Sequence, residues 1–250
     1  VQTTRPNKNT FAAHLGEIRQ RLFIVALVFV TASTFAYSYH DQLTQIIMYP
    51  LHGQKLVYLT PGGGFNFIFQ ISMYVGILVV SPFVVYHLYG FIRPALPKRA
   101  QRSSIAVMAA SALLMAVGAV YGYMVAVPSA LQFLSTFAGD AVTPNLTADS
   151  YLGFFLTYIA GLALLFQLPI LLLFVHWVKP LTPMGLLKTQ RWVILGVFIV
   201  AALITPTPDV YNQCMIAIPL LFVYELGVVL VIATIYKKRR SSRLISEVST

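Results

Sequence analysis

The hydrophobic pattern of the chain is a series of six long apolar runs set between polar connections. The runs are Leu22 to Tyr39, Phe65 to Ile92, Ser104 to Leu134, Tyr151 to Val178, Trp192 to Thr205 and Val210 to Tyr236. A helix of about 20 apolar residues crosses a hydrocarbon core of roughly 30 Å. Inside lipid, a single segment can satisfy its own backbone only as a helix. The pattern therefore predicts an all-α integral membrane protein with six transmembrane helices. The fifth run has about 14 residues, or about 21 Å of helix, so local thinning of the bilayer or a sunken end is expected there. Pro82, Pro128 and Pro169 interrupt the second, third and fourth runs, and Pro219 lies early in the sixth. They predict kinked helices rather than straight rods. Pro206 and Pro208 force a tight turn between the fifth and sixth runs.

The connections carry their own signals. In the stretch from His40 to Gly64, Leu43, Ile46 and Ile47 fit one face of a short helix, and Lys55 to Leu59 fit an extended segment. Pro61-Gly62-Gly63-Gly64 then breaks the chain before the second run, so a structured external loop cap is predicted. The connection from Ser135 to Ser150 has two acids, Asp140 and Asp149, and no basic residue. The first run ends in Tyr37-Ser38-Tyr39-His40 rather than in a small-residue cleavage site, so no removable signal peptide is expected.

Composition narrows the class further. At 58% hydrophobic and 10% charged, the chain is neither an ordinary soluble domain nor a disordered one. The net charge of +10 could indicate nucleic acid, anionic lipid or topology. Its distribution decides: of 17 Lys and Arg residues, only Lys55 falls in an odd-numbered connection. Positive charge is retained on the cytoplasmic side, so both termini are expected there, with no role for nucleic acid. The resulting division is a cytoplasmic N-terminal segment 1–21, a six-helix membrane domain 22–236 and a basic tail 237–250.

Enzyme signatures are absent from the sequence. The five histidines never take a metal-ligand spacing, the single Cys214 excludes a CxxC site, and no GxSxG elbow or phosphate loop occurs. No cofactor, metal or catalytic residue is predicted. Glu225 stands out because an acid inside a span costs about 2.5 to 3.5 kcal/mol on insertion scales. It is expected near the middle of the sixth span, facing protein or a wet cavity. A hydrogen bond to a neighbouring helix, a partner-binding cavity and a proton path all fit. Gln167, Gln70 and His87 are weaker cases of the same kind, and Gly118 with Gly122 suggests close helix packing. At the N-terminus, Phe11, Leu15, Ile18 and Leu22 form an apolar face expected to lie at the interface before the first span. Glu17 and Glu247 are the only acids on the side that carries the basic residues, and Glu17 is a candidate docking point for a cationic peptide.

Five elements, in order, carry a resemblance. They are His14-Leu15-Gly16-Glu17-Ile18-Arg19-Gln20-Arg21-Leu22, Pro50-Leu51, Phe91-Ile92-Arg93-Pro94-Ala95-Leu96, Phe166-Gln167-Leu168-Pro169 and Thr207-Pro208-Asp209-Val210. Together, from about Phe11 to Tyr236, they resemble TatC, the receptor subunit of the twin-arginine protein translocase. The resemblance implies a cup-like arrangement of six helices in a bacterial-type cytoplasmic (inner) membrane. It implies binding of twin-arginine signal peptides of folded cargo, recruitment of single-span TatA- and TatB-type subunits, self-association in a larger complex, and export driven by the proton-motive force. It places Glu17, Arg19, Phe91 and Pro94 at the signal-peptide site. Pro50, Gln167, Asp209, Gln213 and, on its position, Glu225 are assigned to partner binding or transport. Two departures stand out. Relatives commonly carry a second acid where this chain has Ala100, followed by Gln101, and many have glutamate where Gln167 stands. An alternative from another class is a small proton-coupled secondary transporter, since proline-broken helices often build midplane substrate sites; no internal repeat supports it.

Overall fold

The computed structural model describes residues 8–92, 104–137, 146–205 and 209–248, with side chains for 16, 18–90, 105–136, 146–205 and 209–236. Among the described residues six helical stretches are long and apolar enough to cross a membrane. The first is α1 (Lys8–Ser38), and the second is α3 (Gly63–Ile92), after the short α2 (His40–Met48). The third joins α4 (Ser104–Tyr121) to α5 (Val127–Phe137), and the fourth joins α6 (Ala148–Leu165) to α7 (Leu168–Val178). The last two are α8 (Pro183–Ile204) and α9 (Val210–Val248).

One expectation changes, the length of the fifth span, and two helices run on beyond the apolar runs. The amphipathic N-terminal stretch is continuous with the first span, because α1 runs without a break from Lys8 to Ser38. Between Glu17 and Ser38 there is no glycine or proline to end it. The fifth span is not short. Thr182 caps α8, its Oγ1 accepting from the Gly185 N–H at 3.1 Å, and Pro183 occupies the first turn. A charged residue does not end a helix, so Lys188 and Arg191 sit inside α8 with stems able to reach the interface. Likewise α9 continues past Tyr236 as helix to Val248.

The prolines act as expected, each in a different way. Pro82 stays within α3, where the Ser81 hydroxyl donates to the Leu78 carbonyl at 2.6 Å, the one that lost its helical donor. Before Pro128 the chain opens into a π-turn, Gly122–Ala126, and the Val127 N–H reaches back to the Gly122 carbonyl. Pro169 follows the break at Phe166 and Gln167, and α7 restarts with proline in its first turn.

The core is built around α6. Tyr151, Leu152, Phe155, Tyr158, Leu162 and Ala163 are buried in it. The expected close approach at Gly118 and Gly122 is present, because a Cβ at 118 would lie 2.8 Å from the Leu162 carbonyl oxygen. The helix α1 packs along α3, α3 along α4 and α6, and α9 against α7 and α8.

At one end, the cap end, α2 and the turn Tyr49–Leu51 cover the bundle with Ile47, Pro50 and Leu51 buried. Val57 pairs with Thr147 in a short parallel bridge: the Val57 N–H donates to the Leu146 carbonyl and the Ala148 N–H to the Val57 carbonyl. Asn66 Nδ2 donates to Asp149 Oδ1 at 3.2 Å across the same junction. The predicted loop cap is thus tied to the start of α6. The extended segment is limited to the bridge at Val57. The opposite end, into which the basic connections run, is the basic end.

Candidate functional site

The predicted site residues fall into separate groups. At the basic end, α1 lies along α3 so that Arg21 Nη1 donates to the His87 carbonyl at 3.1 Å. A Cβ on Gly90 would meet that guanidinium at 3.5 Å, so the cation lies across the last turns of α3. A cation is favoured there by the carbonyl-rich helix C-terminus. The N-terminal element around Glu17 is thereby brought beside the end of α3, which carries Phe91. Arg19 is exposed on α1. Glu17 and Phe91 are placed by backbone alone, while Pro94, Ala100 and Gln101 lie outside the described residues.

Inside the span region, Gln167 sits at the break between α6 and α7. Its Oε1 accepts from the Ser111 hydroxyl at 2.8 Å, and its Nε2 donates to the Ser111 carbonyl at 3.1 Å. Ser111 on α4 is fully buried. An amide supplies both a donor and an acceptor, so it suits this two-way bond, whereas an ionised carboxylate could only accept. Gln167 is thus a neutral tie between two helices.

Glu225 is half-buried on α9, and its Oε1 accepts from Gln190 Nε2 at 2.7 Å. Glu225 is the sixteenth of the 27 residues of the sixth span, Val210–Tyr236, near its middle as expected. Of the three open readings for Glu225, the bond to a neighbouring helix is the one the geometry contains.

At the cap end, Asp209 precedes α9 as its N-cap. Oδ1 accepts from the Asn212 N–H at 2.6 Å and Oδ2 from Asn212 Nδ2 at 2.8 Å. An aspartate there satisfies an orphan N–H and favours the positive end of the helix. One turn on, Gln213 Nε2 donates to the Phe198 carbonyl of α8 at 2.9 Å, which joins the two last spans. Asp209 and Gln213 therefore form one structural unit. Pro50 is in the cap, on α2's exit. Gln167 and Glu225 flank the place where α9 meets α7, with Gly227 so near that a Cβ would lie 2.8 Å from Pro169 Cα, yet each bonds to a different helix. Ser111, Gln190 and Asn212 were not singled out in the sequence. Ser111 and Asn212 are lone polar residues among apolar neighbours, and Gln190 was counted with the basic connection.

A family model described as Sec-independent protein translocase protein (TatC) matches residues 13–219. The chain belongs to the TatC family. The TatC protein of Koribacter versatilis (strain Ellin345) is 33% identical over 242 residues, covering 94% of this chain and 89% of the relative. That of Aquifex aeolicus (strain VF5) is 32% identical over 223 residues, covering 87% and 92%. A crystal structure of the twin-arginine translocase receptor TatC in DDM superposes with a TM-score of 0.73 at 32% identity, covering 87% of this chain and 98% of that one. The fold expected from the resemblance, six apolar helices with kinks and a cap, is the TatC fold. The family is one of Sec-independent protein translocation, and this TatC chain, with its six apolar helices, is a multi-pass membrane protein. Among its described residues no three His, Cys, Asp or Glu side chains come close enough to hold a metal ion.

Proposed function

We propose that this chain is the receptor subunit of a twin-arginine translocase, with the basic end in the cytoplasm. The reading is carried by the register of α1 against α3. The Arg21 to His87 bond holds the Glu17 element against the end of α3 that leads into Phe91 and Pro94. A doubly basic signal would meet a face whose acids are Glu17 and, in the tail, Glu247, and a guanidinium pairs with a carboxylate through two parallel bonds. Arg19, Phe91 and Pro94 would complete the site, as the family resemblance implies.

Single-span partners would pack along α8 and α9, where Asp209 caps α9, Gln213 ties it to α8 and Glu225 with Gln190 supplies a polar pair. Pro50 in the cap and Gln167 at the break between α6 and α7 would support that packing. Two copies or more would assemble with those partners in a bacterial-type inner membrane, and the proton-motive force would drive export. The described bonds give Glu225 a hydrogen-bonded partner within the chain, which fits a helix-joining role better than a proton path.

The test is photocrosslinking of a twin-arginine signal peptide to membranes containing this protein. Glu17→Ala should lower the crosslink at least several-fold with protein level unchanged, and Glu17→Asp should retain part of it. An unaltered crosslink in Glu17→Ala would remove Glu17 from the site. A wild-type protein that never crosslinks to the peptide would remove the receptor reading itself.

A further inference from the structure

Within lipid each backbone carbonyl needs a donor from the protein, and in the cap outside the spans a carbonyl without one is left to water. A proline inside or just after a helix takes away the N–H that the carbonyl four residues earlier would use. Pro50 does this to Ile46, and Pro219 does it to Met215. In both places the missing donor is replaced by a tyrosine hydroxyl from another part of the chain. The Tyr123 hydroxyl donates to the Ile46 carbonyl at 2.9 Å, which otherwise has only a shared bond from the Tyr49 N–H. The Tyr121 hydroxyl donates to the Met215 carbonyl at 2.7 Å.

The two donors come from one place. Tyr121 ends α4 and Tyr123 lies in the π-turn that begins at Gly122. Residues two apart on a helix point to different sides, so one ring reaches α9 and the other reaches the cap. Both rings are held against α6: Tyr121 stacks near Phe166, centroids 6.3 Å apart, and Tyr123 meets Phe155 edge-on at 6.2 Å. A further hydroxyl, that of Tyr151 on α6, donates to the Ile47 carbonyl at 2.6 Å and braces the cap from the same helix.

We propose that Tyr121 and Tyr123 are positioning residues: through the proline-freed carbonyls of Met215 and Ile46 they hold the start of α9 and the Pro50 cap in one fixed relation. The part of α9 so held carries Gln213 and is capped by Asp209. The functional weight of this rests on the receptor reading above, because Pro50, Asp209 and Gln213 matter there. The geometric claim stands apart from it and is tested apart.

The experiment uses two spin labels on the full-length chain in lipid nanodiscs, at Gln54→Cys in the cap and Tyr211→Cys at the start of α9, both exposed, in a Cys214→Ser background. The wild-type tyrosines should give one narrow distance distribution. Tyr121→Phe and Tyr123→Phe should each broaden it at least about two-fold. Adding Pro219→Ala to Tyr121→Phe restores an N–H at 219 that can take the Met215 carbonyl, so the width should return most of the way. A general loosening of the bundle would not be cured by removing a proline. An unchanged width in both tyrosine variants, or no recovery with Pro219→Ala, would overturn the proposal. Export of a folded twin-arginine reporter is measured in parallel. Widths that respond as expected while the wild type exports nothing would count against the receptor reading and leave the positioning role standing.

Discussion

The fourth and sixth spans differ from the first and fifth in how they spend their apolar surface. Of the most apolar window in each, 44% is buried in the fourth and in the sixth, against 6% in the first and 11% in the fifth. All four are hydrophobic enough to cross a membrane, so hydropathy does not separate them. The difference lies in what faces them. The helix α6 meets α4 and α3 through small residues and aromatic rings, while α1 leans on α3, and α8 leans chiefly on α9. In lipid, exposed leucine costs nothing, and close packing rather than water exclusion holds helices together. The inner pair of spans is therefore the scaffold, and the outer pair is surface on which lipid or a partner helix can lie.

The strongest way to break that contrast is to remove the same side chain from both regions. Leu162→Ala on α6, fully buried, should destabilise the protein by about 2 to 5 kcal/mol through the cavity it leaves. Leu203→Ala on α8, which is 80% exposed, should shift the thermal midpoint in detergent little. Equal losses at the two sites would erase the distinction between scaffold and surface.

Glycine offers a second and smaller contrast. Gly118→Ala puts a Cβ against the Leu162 carbonyl and Ala163 Cα, backbone that cannot turn aside, and should cost about 1 to 3 kcal/mol. Gly196 on α8 has no atom within 4 Å of such a Cβ. There alanine should be neutral or stabilising by up to about 1 kcal/mol, since glycine is a poor helix former. Denaturation of the two variants side by side checks both signs.

The smallest effect concerns the junction between the two regions, where α8 hands over to α9. Asp209→Ala removes the N-cap and should cost about 1 kcal/mol. Asp209→Asn keeps a capping oxygen and should hold most of that stability. If export falls equally in both variants, the charge at 209 matters beyond the cap; if export follows stability, capping is its whole role.

Much of this was legible in the sequence because the bilayer imposes a strong rule. The six apolar runs and the proline positions predicted the spans and their breaks, and the glycine pair predicted close packing without naming α6 as the partner. The misreadings share one cause: charged residues were treated as helix ends. Lys188 and Arg191 trimmed α8 although Thr182-Pro183 is a sound start signal, and Arg19 and Arg21 set the first segment apart from α1. The site was legible by type but not by partner. Gln167 and Glu225 were visible as polar residues in apolar surroundings, but their bonds to Ser111 and Gln190 cross between helices far apart in sequence. Asp209 was assigned to transport or partner contact, and its geometry first explains it as a cap.

The continuity of α1 has a mechanical consequence. Its 31 residues form a rod of about 46 Å. The Glu17 element lies in its first half, with Glu17 about 9 Å from the middle, and its last residue is separated from α2 of the cap by Tyr39 alone. A tilt of about 5° around its middle would move Glu17 by about 1 Å and Ser38 by about 2 Å, in opposite directions. Such a rod, bearing on α3 and wet by lipid elsewhere, can act as a lever, so that what settles at one face of the membrane is felt as displacement at the other.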